Sequence, residues 1–466
     1  MKRSKLLLLL DTFSAKELRE AENFVRSPFF NKRKDLIVLY EYLRECLFIH
    51  RVVPDKTQAF RELYPEEPYD DHRIRMAMSL LYKLLEKYLV CQELLKDELQ
   101  VKTRLVKTFR KRQLDKHFEA AKKDAQSSLH KYPYRDVSFY ESSYALQLEV
   151  FQQTASRKRI SDFNLQNLSN DLDINYIATK LKQVCVLISH QTVYKTEYHF
   201  GLLEPLLQYI EQEQLTAVPV IAIYYHCYCA LTQEDHGPHF HNFRNLITQH
   251  RDQFPQEEMR DLFLLAINFC LRDYNAGNRA YLKDLFELYQ EGLDQAYLLT
   301  NGLISRFTYR NIVTLGLIQK EYDWVESFLN EYQFKLEKSY QESMYSFCLA
   351  RLEYSRQNYG EALQLLQKSE YEDLLLNLSA KTVVLKIYFA TEEFDALDAH
   401  LEAMNTFIRR KKVMGYHREN YRQLIRLTRK ILELQPYDQE GKRALQQKIQ
   451  ETKSVAEKEW LLEQLR

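Results

Sequence analysis

Residues Asn358 to Glu370, NYGEALQLLQKSE, set an aromatic ring at Tyr359, a small residue three places on at Ala362 and an aliphatic residue seven places on at Leu366. Residues three, four and seven apart share one face of an α-helix, so the stretch predicts an amphipathic helix. The spacing recurs along the chain. HFGLLEPLL (199–207), HFHNFRNLI (239–247), GNRAYLKDL (277–285), EYDWVESFL (321–329) and EFDALDAHL (393–401) repeat it. The apolar pairs are Leu203 and Leu207, Phe243 and Ile247, Tyr281 and Leu285, Val325 and Leu329, and Leu397 and Leu401. Their anchors are Phe200, Phe240, Asn278, Tyr322 and Phe394 beside Tyr359, at intervals of 40, 38, 44, 37 and 35 residues. A second apolar helical stretch precedes the anchors, as in SMYSFCLARLEYSR (343–356) and AKTVVLKIYFAT (380–391). Two helices per unit at this period predict a helical-repeat array, an α-solenoid.

The last two intervals resemble tetratricopeptide repeats. Ala350, Tyr359, Ala362 and Leu366 stand where that family places its small, aromatic, small and bulky residues, and Leu385, Phe394, Leu397 and Leu401 follow with larger substitutes. Elsewhere the small residues are missing, the lengths drift and the family's turn proline is absent. The resemblance implies that the first helix of each hairpin lines a concave face. Tyr225 and Tyr228, Arg310, Arg351 and Tyr354, and Lys386 would then point into a groove, offering aromatic anchors and cations able to pair carboxylates. An acidic or C-terminal peptide is the implied ligand.

Composition agrees with helices joined by short turns. Across 466 residues there are only 9 Gly and 10 Pro, with Leu, Glu, Lys, Gln and Arg abundant, so a nearly all-α chain is expected. The 33 Tyr and 25 Phe suit seams that bury large apolar areas while the tyrosine hydroxyls reach a partner or water. A net charge of +1 gives no global field to attract nucleic acid or an anionic membrane. Seven scattered cysteines without a CxxC point to neither a disulfide framework nor a zinc ribbon, and fit a reducing, cytoplasmic setting.

The opening MKRSKLLLLLDTF imitates a secretory signal, but its apolar run, Leu6 to Leu10, ends at Asp11. A signal needs roughly 7–15 apolar residues and a small-residue cleavage site, so this run reads as part of a first helix. Ser14 and Glu17 form a capping-box pattern ahead of Leu18, Ala21 and Val25. Asp70 or Asp71 would cap a long helix striped by Ile74, Met78, Leu81, Leu85 and Tyr88. FVRSPFFNK (24–32) resembles the start of a group of uncharacterised bacterial proteins, a resemblance confined to that stretch and carrying no activity. The expected organisation is an α-helical module over 1–170, helical repeats over 171–415, and capping helices over 416–466.

Chemistry has few footholds. YYHCYCALTQEDHGPHFH (224–241) concentrates His226, Cys227, Cys229, His236, His239 and His241, all of metal-ligand type. His226 and Cys229 would share one helical turn while the later histidines sit around Gly237 and Pro238, and no established ligand spacing appears. No metal or other cofactor is expected. A Gly-rich phosphate loop, a GxSxG elbow and HExxH are all missing, so no catalysis is expected. Residues 101–160 hold fourteen Lys and Arg against six Asp and Glu, including KTRLVKTFRKR and SRKRIS, near Tyr132, Tyr134, Phe139 and Tyr140. This segment is either a solvated helix face or a nucleic-acid surface, with phosphates neutralised and bases stacked on the rings. The favoured function is a scaffold or adaptor holding a protein partner in a groove, the alternative a nucleic-acid-associated helical protein.

Overall fold

Ser14 caps helix Ala15–Arg26 through a complete capping box with Glu17. Asp70 accepts from the N–H groups of His72 and Arg73 to start helix Asp71–Lys96, which runs for 26 residues. The computed structural model describes residues 4–157, 165–194, 196–368, 373–410, 415–435, 437–452 and 454–466. Among the described residues the chain is all-α apart from one two-stranded pair. It divides into two compact units, one of residues 1–182 and 202–221, the other of 183–201 and 222–466.

In the first unit the Ile74, Met78, Leu81, Leu85 and Tyr88 stripe is buried against helices Ala15–Arg26 and Lys34–Arg44. Tyr40 is fully buried, and its hydroxyl donates to the Leu18 carbonyl at 2.7 Å, which offsets the cost of taking that hydroxyl out of water. Leu6, Leu7 and Leu10 of the opening run lie in helix Lys5–Leu10 and bury in the same core. Helices Glu98–Lys111, Asp115–Lys131 and Val137–Ala155 close a smaller core on Val106, Phe118, Ala125 and Leu146.

The second unit is built from helices joined in sequence by short turns. Arg306–Ile318 packs on Tyr322–Tyr332, Gln341–Ser355 on Tyr359–Lys368, and Leu374–Ala390 on Phe394–Arg410. The first helix of each pair also packs on the first helix of the next. Val325, Ala362 and Leu397 are fully buried, as are Leu329 and Leu401, with Leu366 nearly so. The aromatic anchors behave differently. Tyr322, Tyr359 and Phe394 each begin the second helix of a pair, and Phe394 keeps half its surface exposed.

The turns themselves repeat. Lys320, Gln357 and Glu392 adopt left-handed backbone with φ of 62°, 67° and 58°. The N–H of the next residue reaches back to the carbonyl five residues earlier: Glu321 to Gly316 at 2.9 Å, Asn358 to Glu353 at 2.8 Å, Glu393 to Tyr388 at 3.0 Å. This is the Schellman arrangement, which satisfies carbonyls orphaned at a helix end and reverses the chain in three residues. Gly277 makes the same turn after helix Gln256–Asn275, and Gln113 makes it in the first unit between Glu98–Lys111 and Asp115–Lys131.

The longest interval, Asn278 to Tyr322, has a local cause. Leu299–Thr300 pairs antiparallel with Leu303–Ile304 across Asn301 and Gly302, whose φ values of 52° and 76° make the two-residue hairpin that Asn-Gly favours. The insertion lengthens the link between helices without breaking the seam, since Leu285, Val325 and Leu329 stay buried.

Gly316 lets the seam close. A Cβ there would lie 2.4 Å from Cγ2 of Val325, so the two helices meet at bare backbone. Gly316→Ala should lower stability by about 1–3 kcal/mol in urea denaturation, although alanine favours helices, and adding Val325→Ala should recover part of that loss. A neutral or stabilised G316A protein would show that this approach does not limit the packing.

Candidate functional site

A cleft of about 720 Å³ opens on the faces of the first helices in the second unit. Helix Arg306–Ile318 contributes Arg310 and Thr314, Gln341–Ser355 contributes Phe347, Arg351 and Tyr354, and Leu374–Ala390 contributes Ser379, Thr382 and Lys386. His417 and Tyr421 come from helix Gly415–Glu433, and Glu457 and Glu463 from the segment 454–466.

Sequence intervals explain the arrangement. Thr314, Arg351 and Lys386 stand 37 and 35 residues apart, the same steps as Tyr322, Tyr359 and Phe394, so they hold equivalent positions on three successive first helices. Arg310, Phe347 and Thr382 form a second such row one turn earlier. Contacts join neighbours across the rows. Nη1 of Arg351 donates to Oγ1 of Thr314 at 2.7 Å, and its guanidinium sits 5.8 Å from the Phe347 ring centroid.

Of the six residues the sequence placed in a groove, Arg310, Arg351, Tyr354 and Lys386 meet here. Tyr225 and Tyr228 do not line this cleft: both lie on helix Pro219–Thr232, where Tyr225 packs its ring on His226 and His239.

The three cations are not equivalent. Nζ of Lys386 lies 2.6 Å from Oε2 of Glu457 and 5.7 Å from the Trp460 ring centroid. Burial alone would push the Glu457 carboxyl up, but the Lys386 ammonium and then the Arg351 guanidinium outweigh it and hold that carboxyl below its ordinary value. Lys386 is thus satisfied within the chain. Burial pulls the Arg351 guanidinium below its ordinary value, and the like charge of Arg310 acts in the same direction. Among the described residues Arg310 makes no side-chain hydrogen bond or ion pair. Burial also pushes the Tyr354 phenol up to about 12.

Glu457 could not be found from the repeat pattern, since it comes from outside the paired helices. Trp460, Leu461 and Leu465 bury against helices Leu374–Ala390 and Gly415–Glu433, and this apolar anchoring delivers Glu457 to Lys386. The only sequence signal was the apolar triplet itself.

The histidine and cysteine stretch has a structural use. Asp273 accepts from Nδ2 of Asn278 at 2.9 Å and lies 3.0 Å from Nε2 of His236, tying the helix start at Gly237 to the Gly277 turn. Asn358 and Glu353 repeat the amide-to-carboxylate pair at the Gln357 turn, at 2.6 Å. His226 and His239 oppose their Nδ1 atoms at 2.9 Å, so one ring donates and the other accepts. Cys227 and Cys229 are buried. Among the described residues no group of three or more His, Cys, Asp or Glu is placed to hold a metal ion.

Many of the basic residues of 101–160 face acids of their own unit. Arg110 and Lys107 meet the buried Glu149 at 2.6 and 3.7 Å, Lys102 meets Glu98 and Asp124 at 2.7 and 3.1 Å, and Lys122 and Arg157 pair with Glu119 and Asp115. Tyr132 and Phe139 stack on one another, and Arg135 covers the Phe139 ring at 4.3 Å. Residues 158–161 of SRKRIS lie outside the described residues.

No protein-family model matches the chain, and no curated protein or solved structure matches it either. No helix among the described residues is long and apolar enough to cross a membrane.

Burial lowers the imidazole values of His226, His400 and His417 from the ordinary 6.5. Below 6.5 the unfolded chain therefore binds protons that the folded chain excludes. Their contribution to stability is complete above 6.5 and falls as the pH drops through that value. The urea midpoint should decline between pH 7.5 and 5.5, and His226→Gln should flatten the decline by at most about 1.4 kcal/mol per pH unit. A slope unchanged by H226Q would show that this imidazole charges freely in the folded protein.

Proposed function

We propose that the chain is a tetratricopeptide-like helical-repeat protein that holds an acidic segment of a partner protein in the cleft, without chemistry of its own. The observation that carries this reading is the convergence on one cleft of Arg310, Arg351, Tyr354 and Lys386, the first and last of which lie 76 positions apart in sequence. Recurrent Schellman turns and first-helix-on-first-helix packing support the repeat reading, because they stack equivalent positions into rows.

A groove of this kind binds through preorganisation. Its side chains are mounted on packed helices, so the ordering entropy on association falls mainly on the incoming segment. Arg310 and Arg351 supply the charge-assisted hydrogen bonds, and Phe347, Tyr354 and Tyr421 the apolar contacts around them. Nucleic-acid binding through 101–160 is less well supported, because Lys102, Lys107, Arg110, Lys122 and Arg157 already have acid partners.

Arg310 is the residue to test, since replacing it removes no internal ion pair. A fluorescein-labelled decaglutamate peptide should bind the wild-type protein, lose affinity as salt rises, and bind Arg310→Glu at least about tenfold more weakly at an unchanged thermal midpoint. Equal binding to both proteins, or none to the wild type, would remove the acidic-segment reading.

A further inference from the structure

We infer that Arg310 and Arg351 together form a receptor for a phosphoryl group carried on a phosphorylated segment of the partner protein. This rests on the reading of the cleft as the partner's site, and it specifies the anion.

The cleft holds two guanidiniums that form no ion pair with a carboxylate among the described residues. Glu457, whose charge acts on Arg351, is engaged by Lys386 at 2.6 Å, and Glu463 is exposed. Each guanidinium carries five N–H donors. Among the described residues the Arg351 guanidinium makes one hydrogen bond, to Thr314, and that of Arg310 makes none. The neighbouring hydroxyls do not add donors. Thr314, Ser355, Ser379 and Thr382 each donate to the backbone carbonyl four residues earlier, at 2.8, 3.0, 2.9 and 2.8 Å, so toward a ligand they can only accept.

The site is therefore rich in guanidinium N–H groups and charge, while the four hydroxyls around them add no donors. A carboxylate brings two oxygens and one charge, which a single bidentate arginine satisfies, leaving the second guanidinium uncompensated. A phosphoryl monoester brings three terminal oxygens and close to two charges at neutral pH, and can occupy both forks at once. The register of the two rows places Arg310 one helical turn before Thr314, the residue that Arg351 grips from the next helix. One anion can thus bridge two successive first helices.

The test uses the full chain and three fluorescein-labelled peptides of sequence AAGAXAGAA, where X is phosphoserine, glutamate or serine, read by fluorescence anisotropy. The phosphoserine peptide should bind at least about tenfold more tightly than the glutamate peptide. That preference should disappear in Arg310→Gln at an unchanged thermal midpoint and also in Arg351→Gln, and the serine peptide should not bind. Arg310→Gln is the decisive variant, because it removes no hydrogen bond from the folded protein. Equal binding of phosphoserine and glutamate peptides would overturn the phosphoryl preference and leave the acidic-segment reading standing. Binding of decaglutamate without binding of the phosphoserine peptide would do the same. If neither decaglutamate nor phosphoserine binds, both readings fall. Inorganic phosphate binding as tightly as the phosphopeptide would overturn a peptide-borne source, and phosphoserine binding that survives Arg310→Gln would overturn the site.

Discussion

The second unit depends on the seam between paired helices. Once three residues must reverse the chain, the second helix has to lie along the first, and what faces inward is set by the positions three and seven after the turn. Val325 and Leu329, Ala362 and Leu366, and Leu397 and Leu401 fill those positions. Where Val325 is bulky, its partner helix offers Gly316, so large meets small across that seam.

A constant register has a consequence on the opposite face. Helices that stack with equivalent positions side by side turn any recurring residue into a row. Thr314, Arg351 and Lys386 are such a row, held together by the Arg351 to Thr314 bond at one end and closed by Glu457 at the other. Apolar packing therefore brings cations from three helices together without any attraction between them. The like charges of Arg310 and Arg351 are held near one another by that packing, with burial and then the charge of Arg310 drawing the Arg351 guanidinium below its ordinary value.

Much of this was legible in the sequence, and the limits have physical causes. The seams could be read because burial acts alike at Val325, Ala362 and Leu397, which carry the same signal. The anchors were legible as positions and misleading as a guide to burial. Tyr322, Tyr359 and Phe394 sit at the first residue of a helix, where a ring can rest on the turn and remain partly in water, as the half-exposed Phe394 does. The Asn301-Gly302 hairpin left its usual two-residue mark, but with only two residues per strand it lacked any alternation to flag it. In the cleft, Arg310, Arg351, Tyr354 and Lys386 were expected from the tetratricopeptide resemblance, which puts the first helix of each pair on a groove, and not from any local pattern. Glu457 did not, because its position is fixed by Trp460, Leu461 and Leu465, and no local pattern says which basic residue that anchor will approach.

The Lys386 to Glu457 pair changes what the groove can select. Three free cations in a row would attract any polyanion, and affinity would come mostly from long-range charge, which salt screens. With Lys386 neutralised from within, the remaining positive charge is confined to two planar guanidiniums on adjacent helices. A planar fork recognises geometry as well as charge, whereas an ammonium is a point. On the proposed reading, the internal carboxylate would narrow the ligand to one whose oxygens match two forks, and a partner that used Lys386 would have to displace Glu457. Selectivity would then arise as much from the cation the protein keeps for itself as from the two guanidiniums beside it.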